Sequence, residues 1–246
     1  ANIMTAFNGI TSLTGKIGLS DSTSVANINT VAGMTSGVLT ATSSDTDIGT
    51  LIGLSTSNAD KITTTVGTTS VSATDLTTLY GKTGVAVNAS SVTTISGTAT
   101  QVQTVYSAGT TEITGLGNEA VTITGSVTAT QADAIADVTS GVVTATINAD
   151  TAAALNSALS DAQVNAYTLT ISAGSVAATD LTSLDSKTSV AVNAANVTTV
   201  TGSATEVAVA YAANTAGTIT GLGNENVEIT GTTVATLAEL KAINNA

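Results

Sequence analysis

The side chains of this 246-residue sequence that could do chemistry are seventeen acids, five lysines, four tyrosines and a large field of threonine and serine hydroxyls. There is no histidine and no cysteine. An imidazole general base, a Ser-His-Asp triad, a histidine metal ligand and a thiolate nucleophile are therefore excluded. What remains is carboxylate chemistry, where a pair of acids could hydrolyse a glycoside. The acids to weigh are Asp75, Asp180, Glu119 and Glu225, and each recurs at an equivalent position of an internal repeat. A residue repeated with its block serves the block. The expectation is that the chain is not an enzyme, and no catalytic, cofactor or metal residue is assigned.

Other patterns invite a ligand. Residues 115–120 (Gly-Leu-Gly-Asn-Glu-Ala) match the G-x-G-x-x-[GA] dinucleotide fingerprint, but that motif needs a helix directly after it. Here Val121-Thr-Ile-Thr124 follows and reads as a strand, so the run is expected to be a turn. Residues 44–47 (Ser-Asp-Thr-Asp) and the Asn-Glu corners offer oxygen ligands for calcium. The Gly/Asp nonapeptide of calcium-loaded β-rolls is absent, so capping and solubility are the expected duties of these acids and calcium is held as the only cofactor to test. Threonine pairs at 40/42, 122/124, 144/146, 168/170 and 218/220 put hydroxyls on one strand face, a pattern that can order ice or simply face water. Asn88-Ala-Ser90 and Asn196-Val-Thr198 are formal glycosylation sequons, and Tyr106 and Tyr211 share one repeat position.

The composition narrows the partners. Five lysines against seventeen acids leave a net charge of −12. Such a surface repels phosphate backbones and anionic bilayers, so no nucleic-acid partner is expected, and with no catalytic residue assigned no small-molecule substrate is expected. No apolar run approaches the roughly 18 residues needed to span a bilayer, so no membrane insertion is expected. Residues 1–4 carry neither a basic nor an apolar leader region, which leaves a removed signal or a segment of a longer chain. Low charge alone could suggest disorder, but about a fifth of the residues are Thr, Val and Ile are abundant, and mean hydropathy is +0.38. Chains rich in β-branched residues fold.

The elements that must position these residues are repeated. Residues 71–79 (Val-Ser-Ala-Thr-Asp-Leu-Thr-Thr-Leu) return at 176–184, 85–94 at 190–199, and 115–119 at 221–225, an offset of 105 or 106. Residues 35–42 return at 139–146, an offset of 104, and Ile10-Thr-Ser-Leu13 with Lys16 echoes Leu181-Thr-Ser-Leu184 with Lys187. The chain reads as one repeat domain over 1–246 of about ten coils. It comprises a shortened block 1–70, a block 71–175 and an incomplete block 176–246.

Inside each block, helix-like stretches start near residues 4, 24, 46, 73, 98, 128, 148, 177, 203 and 235, a spacing of about 26. Capping boxes are expected at Thr98/Gln101, Thr128/Gln131, Ser203/Glu206 and Thr236/Glu239. Apolar residues follow at helical spacing, such as Leu76 and Leu79 or Ile135 and Val138, and Gly37 and Gly141 are expected helix stops. Strands are expected at 92–96, 121–124, 142–147, 167–171, 197–201 and 227–230, with Gly-Leu-Gly-Asn-Glu and Val-Asn-Ala as turns. Strand, short helix and strand at constant period predict an α/β solenoid of stacked coils, each with short parallel β-strands and a short helix. The alternative is an all-β parallel β-helix, against which the capping boxes and the Ala-rich stretch 151–159 weigh.

The runs Val-Asn-Ala-x-x-Val-Thr-Thr-[Ile/Val]-[Ser/Thr]-Gly (87–97, 192–202), Ile-Thr-Gly-Leu-Gly-Asn-Glu (113–119, 219–225) and Thr-Ser-Gly-Val-[Leu/Val]-Thr-Ala-Thr carry a resemblance. They resemble the Thr/Ala-rich repeat segments of very large cell-surface and haemolysin-like proteins of marine picocyanobacteria. That resemblance implies secretion and an extracellular or cell-surface location, and it transfers no functional residue. The expected function is a non-catalytic structural module, a rod or spacer that stacks end to end with itself or with flanking repeats into a fibre. The first and last stretches (1–17 and 237–246) read as interior coils without polar caps. The competing expectation is an adhesive or ligand-binding module for calcium, glycan or ice.

Overall fold

A computed structural model describes residues 12–160, 163–231 and 234–244. The chain divides into two compact units, Ala1–Ala120 and Val121–Ala246. The first contains β1 (Ile17–Gly18), α1 (Val25–Ala32), β2 (Leu39–Thr42), α2 (Ile48–Leu51), β3 (Lys61–Thr63), β4 (Ser70–Ser72), α3 (Ala73–Tyr80), β5 (Val87–Asn88), β6 (Thr94–Gly97), α4 (Ala99–Glu112) and β7 (Ile113–Thr114). The second opens on β8 (Ala120–Val127) and continues with α5 (Ala129–Ala136), β9 (Val143–Ile147), α6 (Ala152–Ala158), β10 (Ala166–Thr168), β11 (Gly174–Ala177) and α7 (Ala178–Lys187). It then runs through β12 (Val192–Asn193), β13 (Val197–Gly202), α8 (Ala204–Ala216), β14 (Ile219–Thr220), β15 (Asn226–Ile229) and α9 (Leu237–Asn244).

All but one of the described helices open on a first turn capped by a side chain. Ser24, Asp47, Ser72, Thr98, Thr128, Thr151 and Ser203 each accept a first-turn backbone N–H, and Thr236 accepts that of Glu239 at 3.2 Å. Only α7, which follows Ala177, lacks a side-chain cap among the described helices. A cap of this kind contributes about 1 kcal/mol. All four expected capping boxes close reciprocally, the last through Thr236 N donating to Glu239 at 2.7 Å. Helices of two or three turns are marginal alone, and α1 to α8 are each held by one apolar stripe. The first and fourth residues of α1 to α8 are buried, as in Ala73 and Leu76 of α3 or Ala178 and Leu181 of α7.

Among the described residues the strands pair only in parallel. In the first unit β1, β2 and β3 lie side by side, β4 pairs with β6 and β5 with β7. In the second, β8, β9 and β10 lie side by side, as do β11, β13 and β15, and β12 pairs with β14. Register partners lie 20 to 27 residues apart in sequence, as with Ser126 opposite Thr146 and Val192 opposite Ile219. A parallel neighbour must be reached by a crossover, and a short capped helix supplies it. Alternation sorts the faces: Leu39 and Ala41 of β2 are buried while Thr40 and Thr42 are exposed, and β9 repeats the pattern. With nine helices among the described residues, the class is α/β, and the all-β alternative falls.

Several local expectations need correction. Val-Asn-Ala does not begin a turn, because Val87–Asn88 is β5 and Val192–Asn193 is β12. The turn starts one residue later, where Asn88 Oδ1 accepts the Ser90 N–H at 3.1 Å. Gly37 and Gly141 do not stop helices. Gly33 caps α1 and Asp137 caps α5, whereas the N–H groups of Gly37 and Gly141 donate to Thr35 and Thr139 in the turns that enter β2 and β9. Val138 lies past the end of α5 and is exposed. The helix expected near 148 starts at Ala152, where Thr151 provides the cap. The helix expected near residue 4 lies outside the described residues.

Candidate functional site

The acids singled out by the sequence do not converge. Asp75 sits in the first turn of α3 and Asp180 in the first turn of α7, the same place in each block. Asp180 holds Asn156 through its backbone carbonyl (2.8 Å) and its Oδ1 (3.3 Å). In the run 44–47, Asp45 accepts the N–H of Val25 at 2.7 Å, and Asp47 caps α2 through Thr50 N at 2.9 Å. No group of three or more acids among the described residues could hold a metal ion.

Glu119 and Glu225 have a sharper duty. Glu119 is 1% exposed, and its Oε2 accepts the consecutive N–H groups of Gly117 (2.8 Å) and Asn118 (3.1 Å) while Oε1 accepts the Tyr106 hydroxyl. Glu225 repeats this with Gly223 (2.8 Å), Asn224 (3.1 Å) and the Tyr211 hydroxyl. Consecutive amides form a nest for an anion, and here the turn carries its own. The run Gly-Leu-Gly-Asn-Glu is therefore a clasp that binds a helix tyrosine to the following strand. A strand does follow, as β8 and β15, so no helix N-terminus receives a pyrophosphate.

Tyr211 is 3% exposed. Burial, then the hydrogen bond to Glu225 and its charge, push its phenol well above the ordinary value of 10. A raised phenol pKa means that the folded state favours the neutral form. Its contribution is complete below the unfolded pKa of about 10 and is lost as pH rises above it. Urea midpoints at pH 8, 10 and 11 are expected to fall more steeply in the native chain than in Tyr211→Phe. Equal slopes would refute this.

A second recurring set escaped the sequence reading. Asp60 Oδ1 accepts the N–H of Leu39, one coil earlier, at 2.9 Å, and its block mate Asn165 accepts that of Val143 at 2.8 Å. Thr83 Oγ1 both accepts from the Ile62 N–H (3.0 Å) and donates to the Ile62 carbonyl (2.8 Å). Thr188 does the same for Tyr167, at 3.0 and 2.7 Å. Thr83, Asn165 and Thr188 are buried. The one available signal was that Lys82-Thr83 and Lys187-Thr188 share a block position. Lys187 is structural too, since its Nζ donates to the Asn156 and Leu159 carbonyls.

A groove of about 250 Å³ is lined by Lys61, Tyr80, Thr83 and Glu112, and another of about 230 Å³ by Thr35, Ser57 and Asp60. Both are below the roughly 300 Å³ at which ligand pockets begin. Their charged groups are already engaged: Lys61 donates to the Gly84 carbonyl, and Asp60 takes the N–H groups of Leu39 and Ser57. The threonine pairs are exposed apart from Thr170, which is half-buried. Ser126, Thr146 and Thr168 form one row across three strands, but Thr144 meets Ala166 and Thr40 meets Lys61, which interrupts the array. Asn88 and Asn196 of the sequons are exposed. No helix among the described residues is long and apolar enough to cross a membrane. Set beside known proteins, the chain matches no family model, no curated protein and no solved structure.

Proposed function

We propose that this chain is a non-catalytic structural module of a cell-surface or extracellular protein, an α/β solenoid that serves as rod or spacer and stacks with further repeats. One observation carries the reading: buried threonines at the same block position, Thr83 and Thr188, hold the backbone of Ile62 and Tyr167 one coil away in the same way. A catalytic or binding site uses such groups once and aims them at a cavity. A module built to be repeated uses them in every block to fix coil spacing. The resemblance to Thr/Ala-rich surface repeats supports the location.

Excising a repeat tests it. Val71 and Val176 are block equivalents, so deleting residues 72–176 joins Val71 to Ala177 in phase. The shortened chain is expected to keep its far-UV ellipticity per residue and to melt cooperatively at a lower temperature, because stability sums over neighbouring coils. Deleting 72–163 instead breaks the phase and is expected to unfold the chain. Equal collapse of both deletions would overturn the repeat-module reading. A rise in Tm with millimolar calcium would favour the ligand-binding alternative.

A further inference from the structure

The helices obey one rule and α9 breaks it. In α1, α3, α5 and α8 the first, fourth and seventh residues are buried, as Val25, Ile28 and Val31 or Ala129, Ala132 and Ile135. The same positions of α9 are Leu237, Leu240 and Ile243, of which Leu237 is 70% and Leu240 46% exposed. The strand before α9 shows the same contrast. Val121 and Ile123 of β8 are buried, and β9 lies against that strand with Val143 opposite Val121. Their block mates in β15, Val227 and Ile229, are exposed, and β15 pairs only with β13 among the described residues. The internal repeat thus states what belongs on this face: a parallel strand with an aliphatic residue at the Val143 position, followed by a short capped helix.

The chain carries a coil of that kind with its own unmet need. β1 pairs only with β2 among the described residues, and Ile17 and Leu19 are half-buried, whereas Val121 and Ile123 of β8, which pairs with β9 as β1 pairs with β2, are buried. An open edge strand is a template for a further strand. We infer that the β15–α9 face docks the β1–α1 coil of a second copy, head to tail, an inference that rests on the repeat-module reading above. Parallel pairing sets Ile17 beside Val227 and Leu19 beside Ile229. Lys16 then falls on the sheet face that carries Glu228, a favourable contact in a chain of net charge −12. A heterologous contact of this kind leaves the opposite faces free, so the assembly is open-ended.

Size-exclusion chromatography with light scattering on the full chain, from micromolar to submillimolar, provides the test. Mass is expected to grow with concentration beyond the dimer. Leu237→Glu/Leu240→Glu is expected to weaken association at least tenfold with unchanged circular dichroism, since both side chains are already exposed. Leu19→Glu removes the opposite face and is expected to be equally monomeric. Mixing the two variants is expected to give dimers and nothing larger, because each keeps one intact face. Association undiminished in the α9 variant would overturn the inference and leave the module reading standing. A wild-type monomer at every concentration would overturn it as well, while the in-phase deletion still decides the module reading.

Discussion

Thr188→Val is expected to destabilise the chain by about 3 kcal/mol, although valine has nearly the shape of threonine. The hydroxyl accepts the Tyr167 N–H and donates to the Tyr167 carbonyl, in a position that is buried. Removing it strands two backbone groups away from water, and each buried unsatisfied group costs about 1–3 kcal/mol. The Val190 N–H, 3.1 Å from the same oxygen, loses a partner too. Thr83→Val is expected to behave alike, because Thr83 serves Ile62 in the same way. Thr146→Val is the control: its hydroxyl lies on the exposed face of β9, and its cost is expected to stay within about 0.5 kcal/mol. Urea unfolding of the three variants reads the difference. Equal effects at 146 and 188 would show that the inter-coil bonds carry no weight.

Gly221→Ala is expected to cost about 3 kcal/mol and Gly217→Ala about 1 kcal/mol, although both glycines have left-handed backbones. Gly217 has φ +82 and nothing within 4 Å of where a Cβ would stand, so only the conformational term of about 1 kcal/mol applies. Gly221 has φ +87, and a Cβ there would lie 2.7 Å from both Cα and N of Ala195 in the preceding coil. Backbone cannot swing aside as a flexible side chain can, so an overpacking term of about 1–3 kcal/mol is added. Gly115 meets Ser90 with the same geometry in the first unit and is expected to share the larger cost. Denaturant midpoints of the two alanine variants compare strain with close approach directly. A Gly221→Ala no worse than Gly217→Ala would mean that the coils separate easily at this corner.

These variants mark the boundary between local and non-local information. The helices were legible because their determinants sit within four residues. Thr98 with Gln101, or Ser203 with Glu206, closes its capping box whatever the rest of the chain does. Alternation in 143–147 likewise told which side of β9 faces the core, since side chains in any strand point alternately to opposite faces. The repeat offset was a property of the residues alone, and so was the parallel α/β class that follows from strands separated by helices.

What the residues could not announce is whatever depends on a partner twenty or more residues away. Val87–Asn88 and Val192–Asn193 are too short to be strands by propensity. They are strands because Ile113 and Ile219, 26 and 27 residues away in sequence, lie opposite them. Thr83, Thr188, Asp60 and Asn165 read as surface polar residues until the backbone of the preceding coil is brought to their side chains. Leu237 and Leu240 look like any other helix stripe, and only the packed chain shows their face uncovered. The sequence by itself determined the class, the period and the caps, since these rest on interactions between near neighbours. The tertiary structure decided which threonines are buried, which glycines cannot change and which face stays open, because those depend on groups more than twenty residues away.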